Sequence, residues 1–264
     1  MTLPGERAER AERGTVAPAG PAELLATWEA GLVQHDAGRS LLLHRAARPD
    51  AGTDELLSVP VGEREADLLA LRRALFGERM QVRVECESCG EAMEFDLDAT
   101  LLGGRTRTPD GPLRVTEGEW VVDFRLPTVA DLAAAGSEAS GPDEARRLLL
   151  ARCTVSAVRD GRTVPADRLA ESLPEPVQRR LAEAAGQADP AADVTLNVAC
   201  PECGEATPAE LDISSYLWTE LDNWARDVLL DVHLLATAYG WSEPEILALS
   251  PLRRRYYLEL CADA

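Results

Sequence analysis

The sequence repeats itself once, across a gap of more than a hundred residues, and the repeated part is built on cysteine. Val84-Glu85-Cys86-Glu87-Ser88-Cys89-Gly90-Glu91-Ala92 is echoed by Val198-Ala199-Cys200-Pro201-Glu202-Cys203-Gly204-Glu205-Ala206, and Leu97-Asp98 falls in register with Leu211-Asp212. Two thiolates separated by two residues can face a common centre, and the glycine after them supplies a backbone angle that other residues resist. One such knuckle gives two soft ligands, whereas a tetrahedral zinc site takes four. Cys86, Cys89, Cys200 and Cys203 together form a complete four-thiolate set, as in a zinc ribbon. The 110 residues between Cys89 and Cys200 would be closed into a loop by one structural Zn2+, removing much entropy from the unfolded chain. A four-cysteine site leaves no open position for substrate or water, so it implies scaffold rather than catalysis.

Three other readings of the cysteines stay open at this level. A Cys-x-x-Cys can be a redox pair, although such pairs normally open a helix, and the flanking pattern here is that of strands. Two separate disulfides would suit an exported protein. Each knuckle could also be half of a site completed by another subunit. Cys153 and Cys261 stand in helical contexts and read as buried free thiols.

The remaining pattern predicts an α+β chain, mainly helical, with a small zinc-ribbon-like β element formed by the two knuckles. Residues 1–20, with the repeat Glu6-Arg7-Ala8, Glu9-Arg10-Ala11, have little apolar content and read as a disordered tail. Residues 21–78 read as N-terminal helices: one carrying Leu24, Leu25, Trp28 and Leu32 on one face, one over Ser40–Ala47, and one over Glu63–Phe76 stopped by Gly77. Residues 79–126 hold the first knuckle with alternating Met80, Val82, Val84 and Met93, Phe95, Leu97, a Gly/Pro-rich loop over 101–112, and one further strand around Trp120, Val122 and Phe124. Residues 127–190 read as a helical insertion that starts at a Thr128/Asp131 capping box and includes a helix over Asp143–Val158. Residues 191–213 hold the second knuckle, weakened by Pro208. Residues 214–264 are C-terminal helices, the first a long stripe of Leu217, Leu221, Trp224, Val228, Val232, Leu235 and Tyr239.

Charge narrows the classes of partner. With 46 acidic against 27 basic residues, the net charge is −19, a surface that repels phosphate backbones and argues against nucleic-acid binding. There is no run of about 20 apolar residues to insert in a membrane, and the N-terminus lacks the apolar stretch of a secretory signal. A cytoplasmic protein that binds other proteins is expected. His35, His44 and His233 are scattered and read as surface residues, and no phosphate loop, nucleophile elbow or metalloprotease motif occurs. The chain reads as a non-enzyme. Arg253, Arg254, Arg255, Tyr256 and Tyr257 concentrate cations and aromatics on the last helix and are a candidate partner-binding surface.

Trp224-Ala225-Arg226-Asp227, Asp231-Val232-His233 and Ala238-Tyr239-Gly240-Trp241-Ser242-Glu243-Pro244-Glu245, followed by Ser250-Pro251 and Arg253-Arg254-Arg255-Tyr256-Tyr257-Leu258, resemble bacterial baseplate proteins of phage-tail-like contractile injection systems. Those are similar in turn to baseplate hub assembly chaperones of T-even-like phages. The resemblance extends to the second knuckle and, more loosely, to Leu68–Gly77. It implies a non-enzymatic factor that helps build a hub, tube or baseplate, with other tail, hub, tube or baseplate proteins as partners. Both a chaperone that leaves and a permanent part of the particle fit it. The alternative from another class is a zinc-ribbon accessory that positions a substrate for an enzyme or a nucleic-acid-handling complex.

Overall fold

The structure, a computed structural model, describes residues 20–102, 109, 111–165, 168–169 and 172–262. The expected disordered tail and most of the loop expected at 101–112 therefore lie outside the described residues. Helices α1 (Pro21–Leu32), α2 (Asp36–Ala47), α3 (Thr53–Ser58) and α4 (Val61–Phe76) open the chain. Pro21 stands at the start of α1, and the Glu23 carboxylate reaches back to accept from the Gly20 amide. At the far end lie α8 (Ile213–Tyr239), α9 (Glu243–Leu247) and α10 (Pro251–Ala262). Asp212 caps α8 by accepting from the Ser215 amide, and Gly240 ends it in the left-handed region.

The four- and three-residue spacing of Leu217, Leu221, Ala225, Val228 and Leu235 buries one face of α8 against α1, α2 and α4. Leu24, Trp28, Leu43, Leu68 and Leu71 complete this core. Burying a leucine or phenylalanine side chain contributes about 1.5–3 kcal/mol, so this cluster stabilises the helical body without help from a metal.

Two hairpins grow out of that body. Strands β1 (Arg79–Glu85) and β2 (Ala92–Asp98) pair antiparallel from Arg79↔Asp98 to Glu85↔Ala92, and Met80 and Leu97 anchor them in the helical core. Strands β7 (Thr195–Ala199) and β8 (Ala206–Glu210) pair in the equivalent register. Pro208 does not break the second copy. The bonds Cys200 N–Glu205 O and Leu211 N–Val194 O set the ladder's parity, which places the Asn197↔Pro208 pair at a non-bonded position where a missing N–H is not felt. Asp98 and Asp212, the end of the echo, both become helix caps, Asp98 accepting from the Thr100 amide.

The segment between the hairpins departs from the reading above. Only one strand is expected there, yet β3 (Leu113–Glu117), β4 (Trp120–Phe124), β5 (Thr154–Arg159) and β6 (Arg162–Thr163) form an antiparallel sheet in that order. The helix expected over Asp143–Val158 ends at Cys153: α6 spans Pro142–Cys153, after α5 (Val129–Glu138), and the next residue starts β5. Thr154, Val155 and Val158 are β-branched, and pairing with β4 overrides the helical run before them. Helix α7 (Glu175–Ala188) lays Val177 and Leu181 on Val115, Trp120, Val122 and Phe124, a second core.

This lobe is tied to the start of α4 at both ends. Val61 and Val129 donate to the carbonyls of Pro127 and Val59, and buried Asp189 accepts from the Gly62 amide at 2.9 Å. Asp131 is buried and receives Arg125 and Arg152 as well as the amide and hydroxyl of Thr128. Burial alone would raise its pKa, but these donors outweigh it and hold the carboxyl well below the usual range. Among the described residues, no helix is long and apolar enough to cross a membrane.

Candidate metal centre

Each knuckle is a six-residue turn whose geometry the backbone fixes. In the first, the Cys86 amide donates to Glu91 O at 2.8 Å and the Gly90 amide donates to Cys86 O at 2.9 Å. In the second, Cys200 to Glu205 and Gly204 to Cys200 repeat the same two bonds at the same two lengths. Gly90 and Gly204 sit at φ +75° and +78°, the left-handed region where a side chain is strained. The sequence echo is therefore a structural copy down to its hydrogen bonds.

The two copies face each other. All four sulfurs lie within 4.8 Å of one another, with Cys86 Sγ 3.6 Å from Cys203 Sγ and Cys89 Sγ 3.7 Å from Cys200 Sγ. Cys86 and Cys200 are buried and Cys89 and Cys203 exposed, so each of these two cross-knuckle pairs joins a buried cysteine to an exposed one. Such an arrangement has approximate two-fold symmetry. A tetrahedron with metal–sulfur bonds of about 2.3 Å has edges of about 3.8 Å, close to the cross-knuckle distances. Disulfides need about 2.0 Å, and every described cysteine is a free thiol. The knuckles lie between strands rather than at a helix start, away from the usual redox-pair setting, and one chain supplies all four ligands.

The electrostatics point the same way. Amides of Cys89 and Ser88, with the Thr207 hydroxyl, aim at Cys86 and pull its thiol down to about 6, against the effect of burial. Cys89 accepts the Glu91 amide, yet its crowded neighbours Cys86, Cys200 and Cys203 push it up to about 12. Cys203 is raised despite the Glu205 amide, because burial and the sulfurs of Cys86 and Cys200 oppose its charge. One thiolate forms readily and makes the next ones costly. A divalent cation removes that repulsion, and these four sulfurs can hold one. Met93, Val84 and Val198 surround the sulfurs with a small apolar cluster.

A second arrangement, invisible in the sequence pattern, fixes the first knuckle's root to α8. Arg72, 1% exposed, makes a two-pronged ion pair with Glu220 and donates to the carbonyls of Gly77 and Arg79 at 2.7 Å each. Tyr216 Oη both donates to Gln81 O and accepts from Gln81 N, standing in for a strand beside β1. Because α8 follows directly from β8, the same helix end positions both hairpins.

Other residues singled out in the sequence are dispersed. His44 is not a surface residue: it is fully buried, 3.3 Å from Asp67, which also pairs with Arg48. His35 and His233 are exposed. On α10, Arg254 does not face outward. It is buried on Asp231 at 3.0 Å, and Tyr257 packs edge-on against Tyr239 and Trp241. Arg253, Arg255 and Tyr256 are exposed, with Arg255 pairing with Glu259 along the helix. Cys153 is buried and its thiol raised to about 11 by burial, while Cys261 is half-buried.

The family model described as T4 bacteriophage base plate protein matches residues 46–218. The match takes in both knuckles and the lobe between them and ends within α8, before the whole of the C-terminal motif quoted above, which begins at Trp224. No curated protein and no solved structure matches the chain.

Proposed function

From the premise that this chain belongs to the T4 bacteriophage base plate protein family and is a baseplate protein, we propose that it is a non-enzymatic assembly factor or structural component of a contractile, phage-tail-like injection apparatus. It acts by binding other hub, tube or baseplate proteins, first in the cytoplasm and then at the growing particle. Its scaffold is closed by one structural Zn2+ held by Cys86, Cys89, Cys200 and Cys203. Zinc suits four sulfur ligands in a closed tetrahedron and supplies no open position for chemistry. The observation that carries the reading is the convergence of four distant sulfurs inside the family's matched region.

The protein's own residues do the positioning. Arg72, Glu220 and Tyr216 hold the first hairpin on α8, and the metal joins its tip to the second hairpin. The two-knuckle arch and the inserted lobe then present a rigid, acidic surface to partners. Affinity capture of the tagged chain from producing cells tests the assembly role: tube, hub or sheath proteins are expected in the eluate, and their absence overturns it. Elemental analysis of the purified chain tests the metal separately, with about one zinc per chain expected and none refuting the site.

A further inference from the structure

The outward face of α10 carries an apolar stripe. Leu252, Tyr256 and Leu260 are 64%, 61% and 61% exposed, and their four-residue spacing puts them in one row along the helix. The opposite face is fully engaged: Arg254 on Asp231, Tyr257 against Tyr239 and Trp241, and half-buried Leu258 and Cys261. A docked helix with large apolar side chains on its solvent side is the reverse of an ordinary surface helix, and contiguous exposed apolar groups mark interaction sites.

The row reads the same in both directions. Leucine, tyrosine and leucine stand at −4, 0 and +4 about Tyr256. A two-fold contact needs a patch complementary to itself. Running two such helices antiparallel about Tyr256 places Leu252 against Leu260 of the other copy and tyrosine against tyrosine. The flank is self-complementary as well. Arg255 and Glu259 lie on one side of the stripe, paired along the helix at 3.0 Å, and in the antiparallel arrangement each Arg255 comes opposite the other copy's Glu259. We propose that α10 is a homotypic docking face through which two copies of this chain associate, antiparallel, about an axis at Tyr256.

The association is opposed by charge, since each copy carries −19. Its signature is therefore unusual for an acidic protein: added salt screens the repulsion and leaves the apolar contact, so the dimer tightens as ionic strength rises. Sedimentation of the full chain from about 0.05 to 0.5 M NaCl should show a concentration-dependent dimer that strengthens with salt. Tyr256→Glu should weaken it by about tenfold or more, as expected for a central aromatic contact, with an unchanged melting temperature at dilutions where both chains are monomeric, because the side chain is exposed. Mild copper–phenanthroline oxidation in air then reads the geometry, with the unsubstituted chain as blank. Tyr256→Cys on the axis should link two copies. Leu252→Cys should not, its copies lying about 12 Å apart along the axis at 1.5 Å per residue. Monomers at every concentration and salt, a dimer indifferent to Tyr256→Glu, or linking through Leu252→Cys in place of Tyr256→Cys would each overturn the proposal.

Discussion

Replacing Cys200, a residue 2% exposed, with serine leaves three thiols where the proposed zinc site needs four. The direct cost is small, because serine is close to cysteine in size; the cost comes from the lost clip. Cys89 and Cys200 stand 111 positions apart, and closing a loop of that order removes about 4–5 kcal/mol of chain entropy from the unfolded state. The 10–16 kcal/mol apparent for finger peptides is an upper bound of about that size that does not carry over, since those peptides have no other core. Here α1, α2, α4 and α8 bury their own. A loss of about 4–5 kcal/mol lowers the melting temperature of a chain this large by about 10–20 °C. Calorimetry with and without a zinc chelator, beside elemental analysis, is the assay. The unsubstituted chain should hold zinc and fall to the variant's melting temperature when chelated, while Cys200→Ser should hold none and ignore the chelator. Equal metal content in both, or a chelator shift of equal size in both, would refute the reasoning.

Three further outcomes follow from the buried contacts. Gly62→Ala would set its Cβ 1.8 Å from Asp189 Oδ1 and should cost about 2–3 kcal/mol by overpacking, read as a lowered denaturant midpoint. Arg72→Lys keeps the charge but loses the fork that serves Glu220 and two carbonyls; it should cost about 1–3 kcal/mol and speed hydrogen exchange of the β1 amides. Asp131 has a folded pKa below its unfolded one, so its contribution is present above about pH 4 and is lost as pH falls further. Asp131→Asn should flatten the acid limb of the stability curve below that pH and lower stability at neutral pH by about 2 kcal/mol; an acid limb unchanged in shape would count against the assignment.

How much of this was written in the sequence depends on the range over which each signal acts. The knuckles were legible because Cys-x-x-Cys-Gly specifies a local turn, and a second copy at a fixed offset implies a shared ligand. The long α8 was legible from its stripe. Of the sheet β3–β6 only β4 was, from its alternation at Trp120, Val122 and Phe124; β5 was not, because it follows a good helical run directly and becomes a strand only by lying beside β4. The sheet's local signals were the two-residue turns at Gly118-Glu119 and Asp160-Gly161, where Gly118 and Asp160 take positive φ values of 57° and 49°, the mark of hairpins. Arg72 drew no expectation at all, and His44 and Arg254 were misplaced by the expectation that polar side chains face water. Each is buried because a carboxylate from another helix, Glu220, Asp67 or Asp231, meets it, and nothing local announces that partner. The same holds for Leu252, Tyr256 and Leu260, which sequence periodicity alone cannot assign to the outer rather than the inner face.

The placement of the two cysteine pairs also sets an order on biogenesis. Cys203 follows Cys86 by 117 positions, so at about 5–20 residues per second a ribosome delivers it about 6–23 s later. Throughout that interval the first knuckle has only two of the four thiols of the proposed zinc site. The four-sulfur cluster is complete only once the whole inserted lobe has been made, so capture of the proposed zinc would be a late checkpoint that a chain truncated anywhere before Cys203 could not pass.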